Sequence, residues 1–576
     1  MKLLKALFVV GVVIVSLLED ITCNEVDPPP PEDTRSIINT LALEDEVRQP
    51  RILPEDNKIA TDGYDPFPGQ VPYYAEVNVK SKYLTAFHRR AGALVTLNYV
   101  LMPAYFLYQM LSEMEYGMVG LGALGNGSVV YEQHINFSVY GINFHPLYKH
   151  PTQELYNIAL IRLERPAIMS RYVKPIRLPR LSDRRTYEMM EGTIPGAFSN
   201  PLRYARNQVM TNAECMPGIA STVSDQLICA NSYVGGSFCA LQHGSPLAIE
   251  DENGPVLVGL GYYVYACSYT TPNRFLRVSF FREWLRLNTD YIFEMKVSSA
   301  LFVLCVIVSC FVGKVISSEV NISPESTVHH ALPVRVPDVK RQLKNPRNDN
   351  KLATEGFKTF PGQYPYRAWL ESTHSSTRYG TVVTGALITP NYILTTRIRN
   401  IDLDKTLHGV AILAAGYGSW EQRINFTATA TSFHPIHDIG SIRLDHSATL
   451  NNYVLPVRLP RLSDTRSYEN MEGTSVGGYY FARYLRNRVM SNEACSQAHP
   501  SFYASDAYIC TDRFKGGSFC QIQHGSPLTI EDENGVVLIG VTNVIKICEL
   551  NDPTVYVRVS LFRDWIQNNS DYVFEY

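Results

Sequence analysis

The feature that most constrains this chain is an internal repeat. The stretch RLPRLSDRRTYEMMEGT at Arg177–Thr193 returns as RLPRLSDTRSYENMEGT at Arg458–Thr474, 281 residues later. At the same distance, HGSPLAIEDENGPVLVG from His243 returns as HGSPLTIEDENGVVLIG from His524. This period is far longer than the repeat of a solenoid protein. Because 576 residues also exceed what one hydrophobic core supports, the repeat predicts two homologous domains in tandem.

The first residues of the chain are typical of a secretory signal. Lys2 and Lys5 precede an apolar run, Ala6–Leu18, which is too short to span a bilayer comfortably and is followed by polar residues. We therefore interpret residues 1–23 as a signal peptide that is cleaved between Ser16 and Cys23. The mature protein is then expected to be secreted and extracellular, where disulfides form.

A second segment of this kind separates the two copies. Residues 295–318 begin with Met-Lys, contain an apolar stretch of 14 residues, Ala300–Gly313, and end in small polar residues. One interpretation is a transmembrane or reinserted segment, and the other is two complete precursors joined head to tail. The second is favoured because a spanning helix needs about 20 apolar residues.

Composition and cysteine content narrow the class of protein. The formal net charge of −3 argues against a nucleic-acid partner. The 34 prolines and 36 tyrosines suit a protein of strands and turns. Of the 11 cysteines, three lie in or beside the signal-like segments and four lie in each copy, and spacing alone leaves three pairings open for each four. No tight His/Cys spacing typical of a zinc site occurs, so no metal or cofactor is expected.

Several motifs, one of them from the second half and the others from the first, are similar to those of the chymotrypsin-like (S1 family) serine proteases. They are NKIATDGYDPFPGQVPY at the family's activation junction, GALITPNYILT before the catalytic histidine, NIALIRL after the catalytic aspartate and PNRFLRVSFFREWL at the final strand and helix. The resemblance covers Ile59–Glu294 and Leu352–Tyr576. It implies an all-β fold of two tandem chymotrypsin-like double β-barrel domains, each with two six-stranded barrels and a C-terminal helix.

The resemblance also implies the organisation of the chain and its disulfides. We predict a propeptide-like segment at 24–58, a first domain at 59–294, a linker or propeptide-like segment at 319–351 and a second domain at 352–576. The 24–58 segment has a proline run and could instead be a recognition arm, and Lys58 and Lys351 are possible cleavage sites. The implied disulfides are Cys215–Cys229, Cys239–Cys267, Cys495–Cys510 and Cys520–Cys548. The family's disulfide beside the catalytic histidine is missing, since Phe106 and Arg399 stand at those positions.

Both halves depart from the family at the positions that carry its chemistry. Acyl transfer needs a nucleophilic serine, an imidazole base and an orienting carboxylate. The positions that the resemblance assigns to histidine, aspartate and serine hold Tyr105, Asn157 and His243 in the first half and Ile398, Asp438 and His524 in the second.

The surroundings of the triad positions depart as well. Leu241 and Ile522 occupy the position of the oxyanion-hole glycine. Gln242 and Gln523 stand where the family has the aspartate that receives the new N-terminus after activation. The specificity pocket carries Val264 and Ile545 at its wall and Ser237 and Ser518 at its base.

These departures predict a protein that is not an enzyme and acts by binding other proteins, namely proteases, protease inhibitors or surface ligands. The expected roles are inhibitor decoy, cascade cofactor or recognition protein, as in the serine protease homologues that arthropods secrete. No nucleic-acid or membrane partner is expected. The alternatives are a serine-type endopeptidase and, if residues 297–318 persist in the mature chain, a membrane-tethered tandem binding protein.

Smaller features leave further alternatives. His243 and His524 could be new nucleophiles or metal ligands, although a histidine that fills a vacated polar pocket is favoured. Ser245 and Ser526 would need a two-residue gap to serve as shifted nucleophiles. The basic residues at 338–351 fit either proteolytic processing or a solvated linker. N-glycosylation sequons begin at Asn126, Asn136, Asn321, Asn425 and Asn568.

Overall fold

The computed structural model describes fifteen stretches of the chain. They are residues 60–61, 63–83, 87–124, 130–149, 155–197, 201–215, 225–231, 237–263, 272–293, 353–374, 381–397, 406–498, 506–512, 518–544 and 553–576. The predicted signal peptide, both propeptide-like segments and the signal-like segment at 295–318 lie outside them. The domain boundaries proposed there therefore stay predictions.

A curled seven-stranded sheet forms the first half of the first copy, with the strand order β6-β5-β2-β3-β4-β8-β7. Its strands are β2 (Tyr74–Ser81), β3 (Phe87–Leu94), β4 (Tyr99–Pro103), β5 (Met114–Ala123), β6 (Tyr131–Phe137), β7 (Ile142–Phe144) and β8 (Ile158–Arg162). Every neighbouring pair is antiparallel. The short β1 (Ala60–Thr61) lies apart and pairs in parallel with β12 (Ser237–Phe238).

The second half of the first copy is a closed barrel of six strands, in the order β10-β11-β15-β14-β13-β9. These strands are β9 (Glu191–Gly196), β10 (Arg203–Met210), β11 (Leu227–Ala230), β13 (Pro246–Asp251), β14 (Gly254–Tyr263) and β15 (Asn273–Arg277). Alternate side chains along the strands point into the barrel and fill its interior, and Ile194, Val258 and Phe275 are fully buried.

The second copy repeats this plan. Its first sheet has the order β22-β21-β18-β19-β20-β24-β23, and its second has the order β17-β26-β25-β29-β30-β31-β27. The first-sheet strands are β18 (Arg367–His374), β19 (Thr381–Thr389), β20 (Tyr392–Thr395), β21 (Thr406–Leu413), β22 (Gln422–Phe426), β23 (Thr431–Phe433) and β24 (Gly440–Arg443). The remaining strands are β16 (Ala353–Thr354), β17 (Phe357–Lys358), β25 (Glu472–Gly477), β26 (Arg483–Arg488), β27 (Tyr508–Thr511), β28 (Ser518–Phe519), β29 (Pro527–Asp532), β30 (Gly535–Val544) and β31 (Thr554–Arg558).

Helices are few and short in the described chain. The α-helices are α1 (Ala104–Met110), α2 (Asn212–Cys215), α3 (Arg282–Asn288), α4 (Asn492–Ala498) and α5 (Arg563–Asn568). Single 3-10 turns occur at Val139–Gly141, Val278–Phe281, Gly418–Trp420, Ala428–Ala430 and Val559–Phe562. The last helix of each copy follows a 3-10 turn directly, and it buries Trp284 and Leu285 in α3 and Ile566 in α5.

These sheets confirm the predicted mostly-β fold of two tandem chymotrypsin-like domains. The strand count differs in detail, because only the second sheet of the first copy is a closed ring of six strands among the described residues. In the second copy, β26 ends at Arg488, and a single bridge between Val489 and Thr511 replaces the β10–β11 ladder. The Met490 amide still donates a hydrogen bond of 2.9 Å to the Cys510 carbonyl, so isolated bonds rather than a ladder join β26 to β27.

Two disulfides are formed inside the described chain, Cys215–Cys229 and Cys495–Cys510. Each ties the short helix after a long strand to the next strand and lies against the apolar core between the two sheets of its copy. Cys239 and Cys520 are disulfide-bonded as well. Their expected partners, Cys267 and Cys548, lie outside the described residues.

The described residues of both copies belong to one compact unit, apart from 417–420. Strands β9 and β10 of the first copy meet β25 and β26 of the second through polar contacts.

Candidate functional site

In the first copy, Asn157 supports the start of α1. Its side-chain Oδ1 accepts a hydrogen bond of 2.7 Å from the Tyr105 amide, and its carbonyl accepts one of 3.1 Å from the Ala104 amide. These bonds satisfy the first free amides of a helix that begins after Pro103, which has no side-chain cap. Asn157 is buried, so the position assigned to the aspartate holds a neutral acceptor with a clear structural task.

The Tyr105 side chain points to solvent, with 45% of its surface exposed. Its hydroxyl accepts a hydrogen bond of 2.7 Å from Gln109 Nε2, one turn later in α1. Tyr108 is 41% exposed, and its ring meets that of Tyr148 edge to face, with the centroids 5.8 Å apart. Burial, together with the neighbouring Tyr105 and Tyr108, raises the pKa of Tyr148 to about 12. These three tyrosines form an aromatic ridge at the position assigned to the catalytic histidine.

His243 stands on a turn that is pinned against β3. Its carbonyl accepts a hydrogen bond of 3.1 Å from the Ala91 amide. The next residue, Gly244, has a φ of +87°, and a Cβ there would lie 1.7 Å from the Ala91 carbonyl oxygen. Glycine is therefore required by both conformation and space. The same arrangement recurs in the second copy, where the Thr384 amide donates to the His524 carbonyl at 2.9 Å.

The surroundings of His243 disfavour its protonation. The imidazole reaches solvent, yet much of its environment is protein, and this desolvation and the positive charge of Arg90 lower its pKa. The Arg90 guanidinium lies 4.9 Å from the centre of the Phe106 ring. Sequence reasoning missed Arg90, because no motif marks it in β3 and only the fold brings it to this turn.

Ser245 and Ser526 belong to the framework of the turn. Both hydroxyl groups are fully buried. The Gln242 amide donates to Ser245 Oγ at 3.2 Å, and the Gln523 amide donates to Ser526 Oγ at 3.0 Å. These bonds close the same small turn in both copies, which accounts for the serines without a nucleophilic role.

Gln242 and Gln523 have different surroundings although they occupy equivalent positions. Gln242 Nε2 donates a hydrogen bond of 2.7 Å to the buried Tyr74 hydroxyl. In the second copy the residue equivalent to Tyr74 is Arg367, whose guanidinium instead donates to the carbonyls at 478 and 479. Both polar atoms of the Gln523 amide are buried and have no partner in the part of the chain that the structure describes.

Leu241 and Ile522, at the position assigned to the oxyanion-hole glycine, are anchored by their side chains. Leu241 is buried in the apolar core of the second barrel of the first copy, and Ile522 is buried in the corresponding core of the second. An L-residue with a side chain fixed in a core has less freedom to turn its amide than the glycine that the family has there.

In the second copy, Asp438 is buried, and its carbonyl accepts a hydrogen bond of 2.7 Å from Thr396 Oγ1. His524 is half-buried. Burial lowers the pKa of His524, while the negative charge of Asp438 opposes that effect. Ile398, the residue assigned to the catalytic histidine, lies outside the described residues.

The remaining predicted positions are placed as follows. Ser518 is buried in β28, opposite Ala353 of β16, and Ser237 lies in β12, opposite Ala60 of β1. Val264, Ile545, Lys58, Lys351 and Arg399 lie outside the described residues.

Three of the predicted sequons begin at exposed asparagines. Asn136 lies on β6 and Asn425 on β22, at equivalent places in the two copies, and Asn568 ends α5. Asn126 and Asn321 lie outside the described residues.

Neither a metal-binding cluster nor a membrane-spanning helix occurs among the described residues. This part of the chain holds no group of three or more histidine, cysteine, aspartate or glutamate side chains arranged to bind a metal ion. In those same stretches, every helix lacks the length and apolar character needed to cross a bilayer.

Comparison with known proteins gives consistent matches. A collagenase from Hypoderma lineatum is 27% identical over 232 residues, which cover 38% of this chain and 87% of the collagenase. Glucanase inhibitor protein 3 from Phytophthora infestans is 28% identical over 213 residues, which cover 32% of this chain and 76% of that protein. A solved collagenase structure is 27% identical, with a TM-score of 0.33, and the match covers 38% of this chain and 99% of the other.

The family comparison covers both copies. The model described as Trypsin matches residues 60–285 and again residues 353–566. These two matches together take up well over half of the chain and coincide with the two double-sheet domains. The chain therefore belongs to the trypsin-like serine protease family and carries two S1 domains in tandem.

Proposed function

We propose that the chain is a secreted, non-catalytic member of the trypsin family that acts by binding proteins. The observation that carries the proposal is the set of residues at the triad positions. Neither copy has a serine, a histidine and an aspartate in register, and both have a histidine at the serine position. Removing the serine or the histidine of such a triad lowers turnover by roughly a million-fold.

The bonding around these positions supports the proposal. The Asn157 side chain is engaged in starting α1. Desolvation and the positive charge of Arg90 lower the pKa of His243, which makes its imidazole a weaker base. With the buried Leu241 at the oxyanion position, a further loss of about a hundred-fold is expected where such effects are independent.

The aromatic ridge of Tyr105, Tyr108 and Tyr148 supports protein binding at the same place. Exposed tyrosines offer large, rigid contact surfaces with polar tips, and such residues often dominate the binding energy of protein interfaces. One relative with 28% identity is named for inhibiting a glucanase rather than for cleaving a protein. The partner class that fits this family is a protease or a protease inhibitor.

Catalysis is tested on the full chain with a panel of fluorogenic peptides and with a serine-directed fluorophosphonate label. A chymotrypsin sample serves as the positive control for both readouts. We expect no turnover above buffer and no label incorporation. Turnover that disappears in the His243→Ala, His524→Ala double variant would show that the replacing histidines support catalysis and would refute the proposal.

Binding is tested by adding the chain to an active family protease that is held by its protein inhibitor. A decoy restores protease activity in proportion to the chain added. Tyr105→Ala together with Tyr108→Ala is expected to weaken this effect about ten-fold or more, because the loss of an interface hot spot costs about 2 kcal/mol or more. Tyr140→Ala removes an almost fully exposed tyrosine outside the ridge and is the control. If the control variant weakens the effect as much as the double variant does, the aromatic ridge is not the binding surface.

A further inference from the structure

The two copies meet through charged side chains that are almost completely buried. Arg206 on β10 of the first copy donates to the Glu472 carboxylate on β25 of the second, from Nε at 3.3 Å and from Nη2 at 3.1 Å. The hydroxyl of Tyr204 donates to the same carboxylate at 3.1 Å. Glu472 thus accepts three hydrogen bonds from one strand of the other copy.

The reverse contact is made as well. Arg486 on β26 of the second copy is ion-paired with Glu191 on β9 of the first. The hydroxyl of Tyr484 donates to the Glu191 carboxylate at 3.3 Å. An arginine, a tyrosine and a glutamate therefore form the same cluster twice, with the copies exchanged.

The members of the two clusters are equivalent in sequence. Glu191 and Glu472 each begin the repeated motif EGT, and the arginines and tyrosines stand at the same places in RYARN from Arg203 and RYLRN from Arg483. When residue i of one copy meets residue j of the other and residue j meets residue i in return, the interface is isologous and has two-fold symmetry. The two copies are thus related by a pseudo-two-fold axis.

Burial and ring contacts reinforce the clusters. The exposed fractions of the side chains are 10% for Arg206 and 8% for Glu472, and 6% for Arg486 and 3% for Glu191. Each guanidinium also lies over the tyrosine ring two residues earlier on its own strand, at 5.2 Å for Arg206 and 4.8 Å for Arg486. Charges buried this deeply need their partners, because an unpaired one is strongly disfavoured.

One more pair of equivalent residues, Glu250 and Glu531, is relevant to this axis. Burial raises the pKa of Glu250, and the negative charges of Glu531 and Asp251 act in the same direction. The guanidinium groups of Arg206 and Arg177 oppose the rise. Glu250 and Glu531 occupy the same place in the repeat, and an effect of one on the other is consistent with a two-fold axis passing nearby.

We propose that the partner surface of each copy is the other copy, and that the reciprocal Arg206–Glu472 and Arg486–Glu191 clusters hold the two together without a covalent link. The pair then persists when the chain between the copies is cut. Processing at the signal-like segment 295–318 would release a two-chain protein rather than two separate ones. This inference does not depend on whether either copy is catalytic.

The test uses the full chain with a site-specific protease sequence placed within the connecting residues 319–351. The protein is cut, and its mass is followed by size-exclusion chromatography with light scattering from micromolar to nanomolar concentration. We expect both fragments to elute together with the mass of the uncut protein. Fragments that separate at micromolar concentration while each keeps a folded far-UV circular dichroism spectrum would overturn the proposal.

Charge variants test the clusters themselves. Glu472→Arg places a third cation beside Arg206 and Arg486 and is expected to raise the dissociation constant of the cut pair about a hundred-fold or more. Adding Arg206→Glu exchanges the charges and should recover at least ten-fold of that loss. Glu575→Arg reverses an exposed glutamate of the same copy that pairs with Arg461 within that copy, and it is the matched control.

The possible outcomes separate folding from association. If Glu472→Arg alone fails to fold, the dissociation constants of the charge-exchanged variant and of the neutral Glu472→Gln variant are compared instead. A folded exchanged pair that associates as tightly as the wild type supports the clusters. A folded Glu472→Arg variant with wild-type affinity, or an exchanged pair no tighter than Glu472→Gln, would overturn their role.

Discussion

Gly244 and Gly254 share a positive φ, yet alanine should act very differently at the two positions. Gly244 has a φ of +87°, and a Cβ there would lie 1.7 Å from the Ala91 carbonyl oxygen. Gly254 has a φ of +98°, and a Cβ there would meet nothing within 4 Å. The pair separates the cost of backbone conformation from the cost of a steric clash at the turn that carries His243.

The expected losses follow from these contacts. A left-handed conformation costs an alanine about 1–2 kcal/mol at either site. At Gly244 the turn must also move away from β3 by more than 1 Å to reach the closest real Cβ contacts. That movement breaks the bonds from Ala91 to His243 at 3.1 Å and from Gly244 to Gly261 at 2.7 Å. Each broken bond costs about 1–3 kcal/mol, so Gly244→Ala should lose about 3–8 kcal/mol in total.

The assay is urea unfolding of the full chain, followed by far-UV circular dichroism and checked by thermal unfolding. For domains of this size, about 1 kcal/mol corresponds to a shift of roughly 2–4 °C in Tm. Gly525→Ala should repeat the large effect in the second copy, because a Cβ there would lie 1.9 Å from the Thr384 carbonyl oxygen. Equal losses for Gly244→Ala and Gly254→Ala would refute the reasoning.

Three further outcomes are expected. Glu250→Gln should tighten association of the cut copies at pH 7 and make that association less dependent on pH. The reason is that a carboxyl with a raised pKa favours the pair fully below its ordinary pKa and loses that contribution as the pH rises through the raised value. Dissociation constants measured at pH 5 and pH 7.5 test this. Asp438→Asn should lower the pKa of His524 further below its ordinary value, because a negative charge that favours the imidazolium is removed, and an unchanged NMR titration of that ring would contradict it. Tyr74→Phe should cost about 1–3 kcal/mol by leaving the buried Gln242 amide unpaired, so a Tm equal to that of the wild type would exclude the bond as a stabilising contact.

Much of the fold could be predicted from local sequence. NIALIRL forms β8 (Ile158–Arg162), and the apolar run that begins at Gly254 forms β14, because continuous apolar residues bounded by turn signals suit a buried strand. The C-terminal helices were also expected, and both occur. The incomplete ladder between β26 and β27 could not be predicted, since ring closure depends on how two strands meet in space rather than on their own residues.

The candidate site divides in the same way. Register with the family's motifs located Asn157 and His243, but the hydrogen bond from the Tyr105 amide depends on tertiary contact between α1 and the residue just before β8. The contact between the copies was missed for a different reason. Strand periodicity shows that Tyr204 and Arg206 share one face of β10. A polar face of this kind is typical of solvent exposure. Nothing in the local sequence indicates that Glu472 covers it.

The duplicated Arg–Glu contact also has a mechanical consequence. One salt link between two bodies acts as a pivot, about which they can swing, whereas two links placed on either side of an axis remove that freedom. The pair of links formed by Glu191 and Glu472 with the opposite arginines therefore restricts the relative rotation of the two domains. A ligand with two matching epitopes would meet both domains already oriented, and its second contact would form at a high effective concentration.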